Sequence, residues 1–189
     1  MNQAQALHGE PKEFVKKKIF AALDEVTTDF IGQSPFCVLA TSDRDGNCDA
    51  SPKGGAPGFV RVLDEKHLLL PDVAGNNLFQ SYENIEGQPG VGLLFMIPGC
   101  EWTVRVNGRA APMQKDDERL SGIEPTGDHR DDNTRILQAL HIEIDQVYAH
   151  CPRAYLFGDL WNAGKITAAK DKDLNRYWMG RMMAAIKAG

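Results

Sequence analysis

Mainly antiparallel β structure with flanking helices, an α+β class, is the fold this 189-residue chain predicts, and three observations predict it. Short β-prone runs recur at close spacing through the middle, tight-turn residues separate them, and helical periodicity is confined mostly to the two ends. Strands in that rhythm imply an antiparallel barrel or sandwich.

From the N-terminus, Val15, Ile19, Leu23, Val26 and Phe30 recur every three or four residues, which predicts one amphipathic helix over Pro11 to Ile31. FCVLATS then reads as a strand, and Asp43 to Asn47 as a hairpin turn whose Asp-Gly step supplies the positive φ a tight turn needs. Further strands are expected at Gly58 to Leu63, His67 to Leu70, Val91 to Ile97 and Trp102 to Met113, with a turn at Asp64 to Lys66 and a short helix over Leu78 to Ile85. Lys115 to Arg135, dense in charge, Gly and Pro, reads as a surface excursion with at most a helical turn. LQALHIEIDQVYAH is the last long strand, followed by a short helix over Ala154 to Trp161 and a terminal one over Asp171 to Lys187. On that helix Leu174, Trp178, Met182 and Ala185 share one side, a packing stripe by its spacing. No internal repeat and no domain boundary is evident, so residues 1–189 are expected to form one domain.

Composition excludes several classes. A formal charge of −5 without a long basic run argues against nucleic-acid binding, which draws its affinity from Lys and Arg on phosphates. No apolar run approaches the length of a membrane span and the N-terminus lacks the apolar core of a secretion signal, so a cytoplasmic protein is expected. Cys37, Cys48, Cys100 and Cys151 form no CxxC pair, so no metal site is expected and packed, reduced thiols are. GxGxxG, P-loop, nucleophile-elbow and HExxH patterns are missing.

The informative stretch runs from Asp49 to Asn77, DASPKGGAPGFVRV through LLLPDVAGNN. Alternation along a strand points Ser51 and Lys53 the same way, placing a hydroxyl beside an ammonium. That pair suits a phosphate, although an exposed strand with its polar side to water shows the same pattern. Gly75, Asn76 and Asn77 open the next helix, where free N–H groups and the positive dipole end favour an anion.

Together with GVGLLFMIPG and RVNGRA, this order of residues resembles the pyridoxamine 5′-phosphate oxidase-like flavoproteins, specifically a bacterial subgroup with SPKG and PGNN-type motifs. The resemblance runs from about the first helix to Trp161. It implies an FMN-binding split β-barrel, a homodimer with FMN at the subunit interface, a small-molecule substrate and FMN-dependent oxidoreductase chemistry. Residue by residue, it implies flavin contacts from Ser51 and Lys53, with Lys53 a candidate for the phosphate, and from Leu70, Pro71 and Asp72 along the isoalloxazine or ribityl portion. Asn76 and Asn77 take the place of phosphate-binding side chains, their missing charge to be balanced by Lys53, Arg105 or the helix dipole. Trp161, in YLFGDLW, is placed against the partner's flavin or as a hydrophobic dimer anchor.

The chain departs from that pattern at Trp102, which stands before Thr103 where an acid is expected, and no substrate clamp of a true pyridoxamine phosphate oxidase is recognisable near the C-terminus. Pyridoxamine phosphate oxidation is therefore not carried over. The alternatives are a non-catalytic flavin or haem binder, with His141 and His150 as possible haem ligands, or a deazaflavin-dependent reductase.

Overall fold

A computed structural model of the chain describes residues 2–75, 77–123, 126 and 134–188. Its elements run α1 Gln3–His8, α2 Glu13–Lys16, β1 Ile19–Phe20, α3 Glu25–Gln33, β2 Phe36–Ser42, β3 Cys48–Gly54, β4 Arg61–Asp64, β5 His67–Val73, α4 Gln80–Gly87, β6 Gly90–Met96, β7 Thr103–Gln114, a 3-10 turn at Glu118–Leu120, β8 Ile136–His150, α5 Arg153–Gly158, α6 Ala163–Asp171 and α7 Leu174–Ala188. The chain groups into two compact units, one of Met1–Ile97 with Trp102–His150, the other of Pro98–Glu101 with Cys151–Gly189.

In the first unit eight strands form one sheet in the order β3-β2-β6-β7-β8-β5-β4, with β1 paired to β8. All pairings are antiparallel. Alternation explains the core. Cys37 and Leu39 of β2, Leu93 and Phe95 of β6, Val104 and Val106 of β7, and Ile142 and Ile144 of β8 are buried in one apolar cluster with Leu68 and Leu70 of β5. Each such side chain contributes roughly 1.5–3 kcal/mol of burial. The expected α+β class with an antiparallel sheet is thus what the chain forms.

The largest departure lies near the start. The periodicity over Pro11 to Ile31 is broken between α2 and α3 by β1, whose Ile19 and Phe20 pair with Tyr148 and Val147 of β8. The stop signal is local: Asp24 caps α3 by accepting from Thr27 N at 2.8 Å, while Thr27 Oγ1 accepts from Asp24 N at 2.9 Å. A capping box restarts the helix, and strand pairing took the preceding residues.

β7 and β8 pair from Thr103↔His150 to Gln114↔Gln138 with one irregularity, at Asn107/Gly108. A Cβ on Gly108 would sit 2.0 Å from the Glu143 carbonyl oxygen, so the glycine of RVNGRA permits a close backbone approach at a bulge. Cys37 and Cys48 lie at opposite ends of the β2–β3 ladder, opposite Lys53 and Ser42, and all four cysteines are free thiols.

The second unit carries α5, α6 and α7. Its periodic stripe is not packed as its spacing suggested: Leu174, Trp178 and Met182 are exposed in the single chain. Among the described residues no helix is long and apolar enough to cross a membrane.

Candidate functional site

Among the described residues β3 is one end of the ladder with no neighbour beyond it, while β4 pairs only with the first half of β5, leaving Leu70 to Val73 without a strand partner on that side. The two free edges nevertheless meet. Lys53 Nζ lies 2.9 Å from Asp72 Oδ1, an ion pair with side chains only 21% and 16% exposed, so the sheet curls until an ion pair bridges what backbone hydrogen bonds do not. A cavity of about 510 Å³ occupies this seam, lined by β3, β5, Phe59 and the start of α4.

Alternation aims the β3 side chains. Asp49, Ser51 and Lys53 are half-buried on one face, while Ala50, Pro52 and Gly54, which also border the cavity, are exposed, and an edge strand tolerates the proline. Lys53 stands opposite Cys37, whose thiol is fully buried; burial pushes its pKa up to about 12, with the ammonium pulling weakly the other way. That thiol is inert at neutral pH.

The fourth wall is the β5–α4 connection. Asn77 and Phe79 adopt left-handed φ values of 57° and 48°, unusual for residues with a Cβ and the kind of strain that collects at functional sites. Phe79 is the N-cap of α4 without any side-chain cap, and its carbonyl accepts from Tyr82 N and Glu83 N at 2.9 and 3.1 Å. The N–H groups of Gln80 and Ser81 have no partner among the described residues, so the positive end of the helix faces the cavity uncapped. Asn84 fastens α4 to the sheet, donating to Thr41 Oγ1 at 3.0 Å and Asp49 Oδ2 at 3.1 Å.

Tyr82 is the residue that sequence reasoning missed. It lines the cavity, is only 8% exposed, and its hydroxyl is buried without a hydrogen-bond partner among the described residues. Desolvation, and then the Asp72 carboxylate, drive its pKa far above the usual tyrosine value, so the group is a neutral phenol. The spacing of Ser81, Tyr82 and Ile85 on the buried face of α4 was the available signal.

Of the residues expected at a site, Ser51, Lys53, Pro71, Asp72 and Asn77 come together in this cavity. Asn76 lies outside the described residues. Leu70 is 1% exposed and belongs to the core rather than the cavity wall. Arg105 alternates with buried Val104 and Val106, so it lies on the outer face of the sheet, where its guanidinium sits 5.3 Å over the Tyr148 ring. Trp161, in the second unit, donates its indole N–H to the Cys100 carbonyl at 2.9 Å and stacks on Tyr155 at 5.8 Å.

His141 stacks on His67 at 5.1 Å and borders a separate hollow with Asp117 and Arg119. His150 packs edge-on against Tyr148 at 4.7 Å. Burial is the chief reason both imidazoles titrate below the usual histidine value, helped at His150 by Arg105. No group of three or more His, Cys, Asp or Glu able to hold a metal ion occurs among the described residues.

With this geometry in view, a family model described as pyridoxamine 5′-phosphate oxidase matches residues 23–151, which span strands β2 to β8 and the whole cavity. The chain matches no curated protein. Among solved structures it is similar to a candidate pyridoxamine 5′-phosphate oxidase from Lactobacillus delbrueckii, at 24% identity and a TM-score of 0.50, covering 68% of this chain and 95% of that one. It is also similar to an FMN-binding protein from Syntrophomonas wolfei, at 11% identity and a TM-score of 0.51, covering 67% of this chain and 90% of that one. At these identities the structural likeness establishes the fold.

Proposed function

Because the chain belongs to the pyridoxamine 5′-phosphate oxidase family, we propose that it binds FMN in the seam cavity and acts as an FMN-dependent oxidoreductase on a small molecule. The observation that carries the reading is the cavity itself, about 510 Å³ and edged by a buried hydroxyl with no partner among the described residues. A pocket of that size accommodates a cofactor-sized ligand, and an orphaned buried donor is what a ligand-shaped space leaves when its occupant supplies the acceptor.

The residues present fit such a group. The uncapped N–H groups of Gln80 and Ser81, with the dipole behind them, suit the phosphate. Ser51 offers a hydroxyl on the same wall. Lys53, expected at the phosphate, has its ammonium already held by Asp72. Phe59, Pro71 and Phe79 supply apolar surface for a planar ring. When bound, the flavin supplies hydride transfer, and the protein holds and orients it.

A homodimer belongs to the same proposal. Arg105 is on the outer face of the sheet and does not line the cavity, so in this reading it serves a flavin held by a neighbouring copy, and the family resemblance gives Trp161 the same place against the partner's ring. A cytoplasmic setting suits four free thiols.

The haem alternative has less support, since neither His141 nor His150 borders the seam cavity. Purified protein is expected to take up added FMN and show flavin absorption. Colourless protein that takes up none overturns the reading, a Soret band favours haem, and extraction of the chromophore separates FMN from a deazaflavin. Bleaching by a reduced nicotinamide with reoxidation in air is expected of a catalyst and not of a storage protein.

A further inference from the structure

Three polar groups on the cavity wall form an arrangement that a phosphate does not explain. The Lys53 ammonium rests on Asp72 Oδ1, while Asp72 Oδ2 has no hydrogen bond among the described residues. Tyr82 presents a buried hydroxyl without a partner among the described residues, close enough to feel the Asp72 charge. Asp49 adds a second carboxylate to the same wall. Lys53 is the one cation among the described lining residues. A dianion beside it would meet two carboxylates and compete with one of them for the ammonium.

A neutral group with both acceptors and a donor meets no such opposition. Lys53 has three N–H donors and spends one on Asp72, the carboxylate only accepts, and the neutral phenol can donate. We propose that Lys53, Asp72 and Tyr82 form a donor–acceptor–donor edge that reads the C=O, N–H, C=O imide of the flavin ring, leaving the phosphate to the start of α4. Asp72 accepts from the ring N–H, and Lys53 and Tyr82 donate to the flanking carbonyls. This rests on the flavin reading and assigns a different part of the cofactor to Lys53 from the one its sequence context suggested. It also explains the orphaned hydroxyl, a costly feature in a protein that never fills the space.

The test uses the full chain as wild type, Tyr82→Phe and Asp72→Asn, each titrated with riboflavin and with FMN by fluorescence quenching, and the wild type also with N3-methylriboflavin. Tyr82→Phe is expected to weaken both flavins by the same factor, about fivefold to tenfold, because the lost hydrogen bond is to the ring they share. The ligand-free Tyr82→Phe protein should melt no lower than wild type, since it loses an unsatisfied polar atom. Asp72→Asn should weaken both flavins equally, and N3-methylation should cost the wild type at least about tenfold.

If Asp72 merely competes with the phosphate for Lys53, Asp72→Asn tightens FMN and leaves riboflavin unchanged, which overturns the proposal. Unchanged affinities in Tyr82→Phe, the result expected if an ordered water fills the hydroxyl, overturn it too. Either result leaves flavin binding standing. Failure of the wild type to bind either flavin overturns both readings.

Discussion

The β7–β8 ladder and the seam between β3 and β5 are made of the same antiparallel backbone, yet one is closed by main-chain pairing and the other by a single ion pair. Along β7–β8, inward residues are apolar and buried, and the one irregularity falls at a glycine. Across the seam, inward residues are Asp49, Ser51, Lys53 and Asp72, the adjoining backbone turns left-handed twice, and a tyrosine hydroxyl is left unsatisfied. The contrast teaches that this sheet puts its stability where the ladder is continuous and its chemistry where the ladder fails. Backbone pairing satisfies every polar group locally, whereas a gap leaves side chains and helix ends to face a ligand.

Gly108→Ala is the hardest test of the closed side. With its Cβ forced against the Glu143 carbonyl, it is expected to cost about 3 kcal/mol or more in urea unfolding. A loss under about 1 kcal/mol would mean that the ladder yields as easily as the seam.

Lys53→Ala tests the open side. It is expected to lower flavin affinity about tenfold or more, the scale of a charge-assisted hydrogen bond, while Lys16→Ala on α2 changes nothing measurable. Equal affinities in the two variants would remove Lys53 from the site.

Asn84→Ala probes the joint between the regions, since it cuts the bonds to Thr41 and Asp49. We expect a stability loss of about 1–2 kcal/mol with weaker flavin binding, because α4 carries one wall of the cavity. Loss of stability without loss of binding would show that α4 positions nothing.

Smallest is Asp24→Ala, away from both regions, at about 1 kcal/mol for a helix cap. The Thr27 hydroxyl and N–H lower the folded Asp24 pKa below its ordinary value of 3.8. Its contribution is therefore present above pH 3.8 and is lost as pH falls through the lower folded pKa. Thermal melts of wild type and Asp24→Ala should accordingly converge toward acid pH, and a constant gap would show that the cap does not depend on the carboxylate charge.

Legibility followed locality. Strands β2, β6, β7 and β8 were readable from β-prone runs and alternation, and the Asp43–Asn47 turn from its Asp-Gly step, because each depends on neighbours in sequence. The break at Ile19–Phe20 was not, since helical periodicity there competes with a partner strand more than a hundred residues away. Leu70 shows the same limit within the site. Alternation gives it the face of Asp72, two residues on, but at its place along the strand that face is covered by the apolar core and not open to the cavity.

From its own order of residues the chain determined the α+β class, the common face of Ser51 and Lys53, and the family to which it belongs. Those follow from period-2 alternation and motif order, which no long-range contact has to supply. Only the tertiary structure decided that Lys53 meets Asp72, nineteen residues away, that Tyr82 brings an unpaired hydroxyl to them, and that Arg105 faces outward. Each depends on how far the sheet curls and where α4 packs, distances set by the whole core and not by any stretch of sequence.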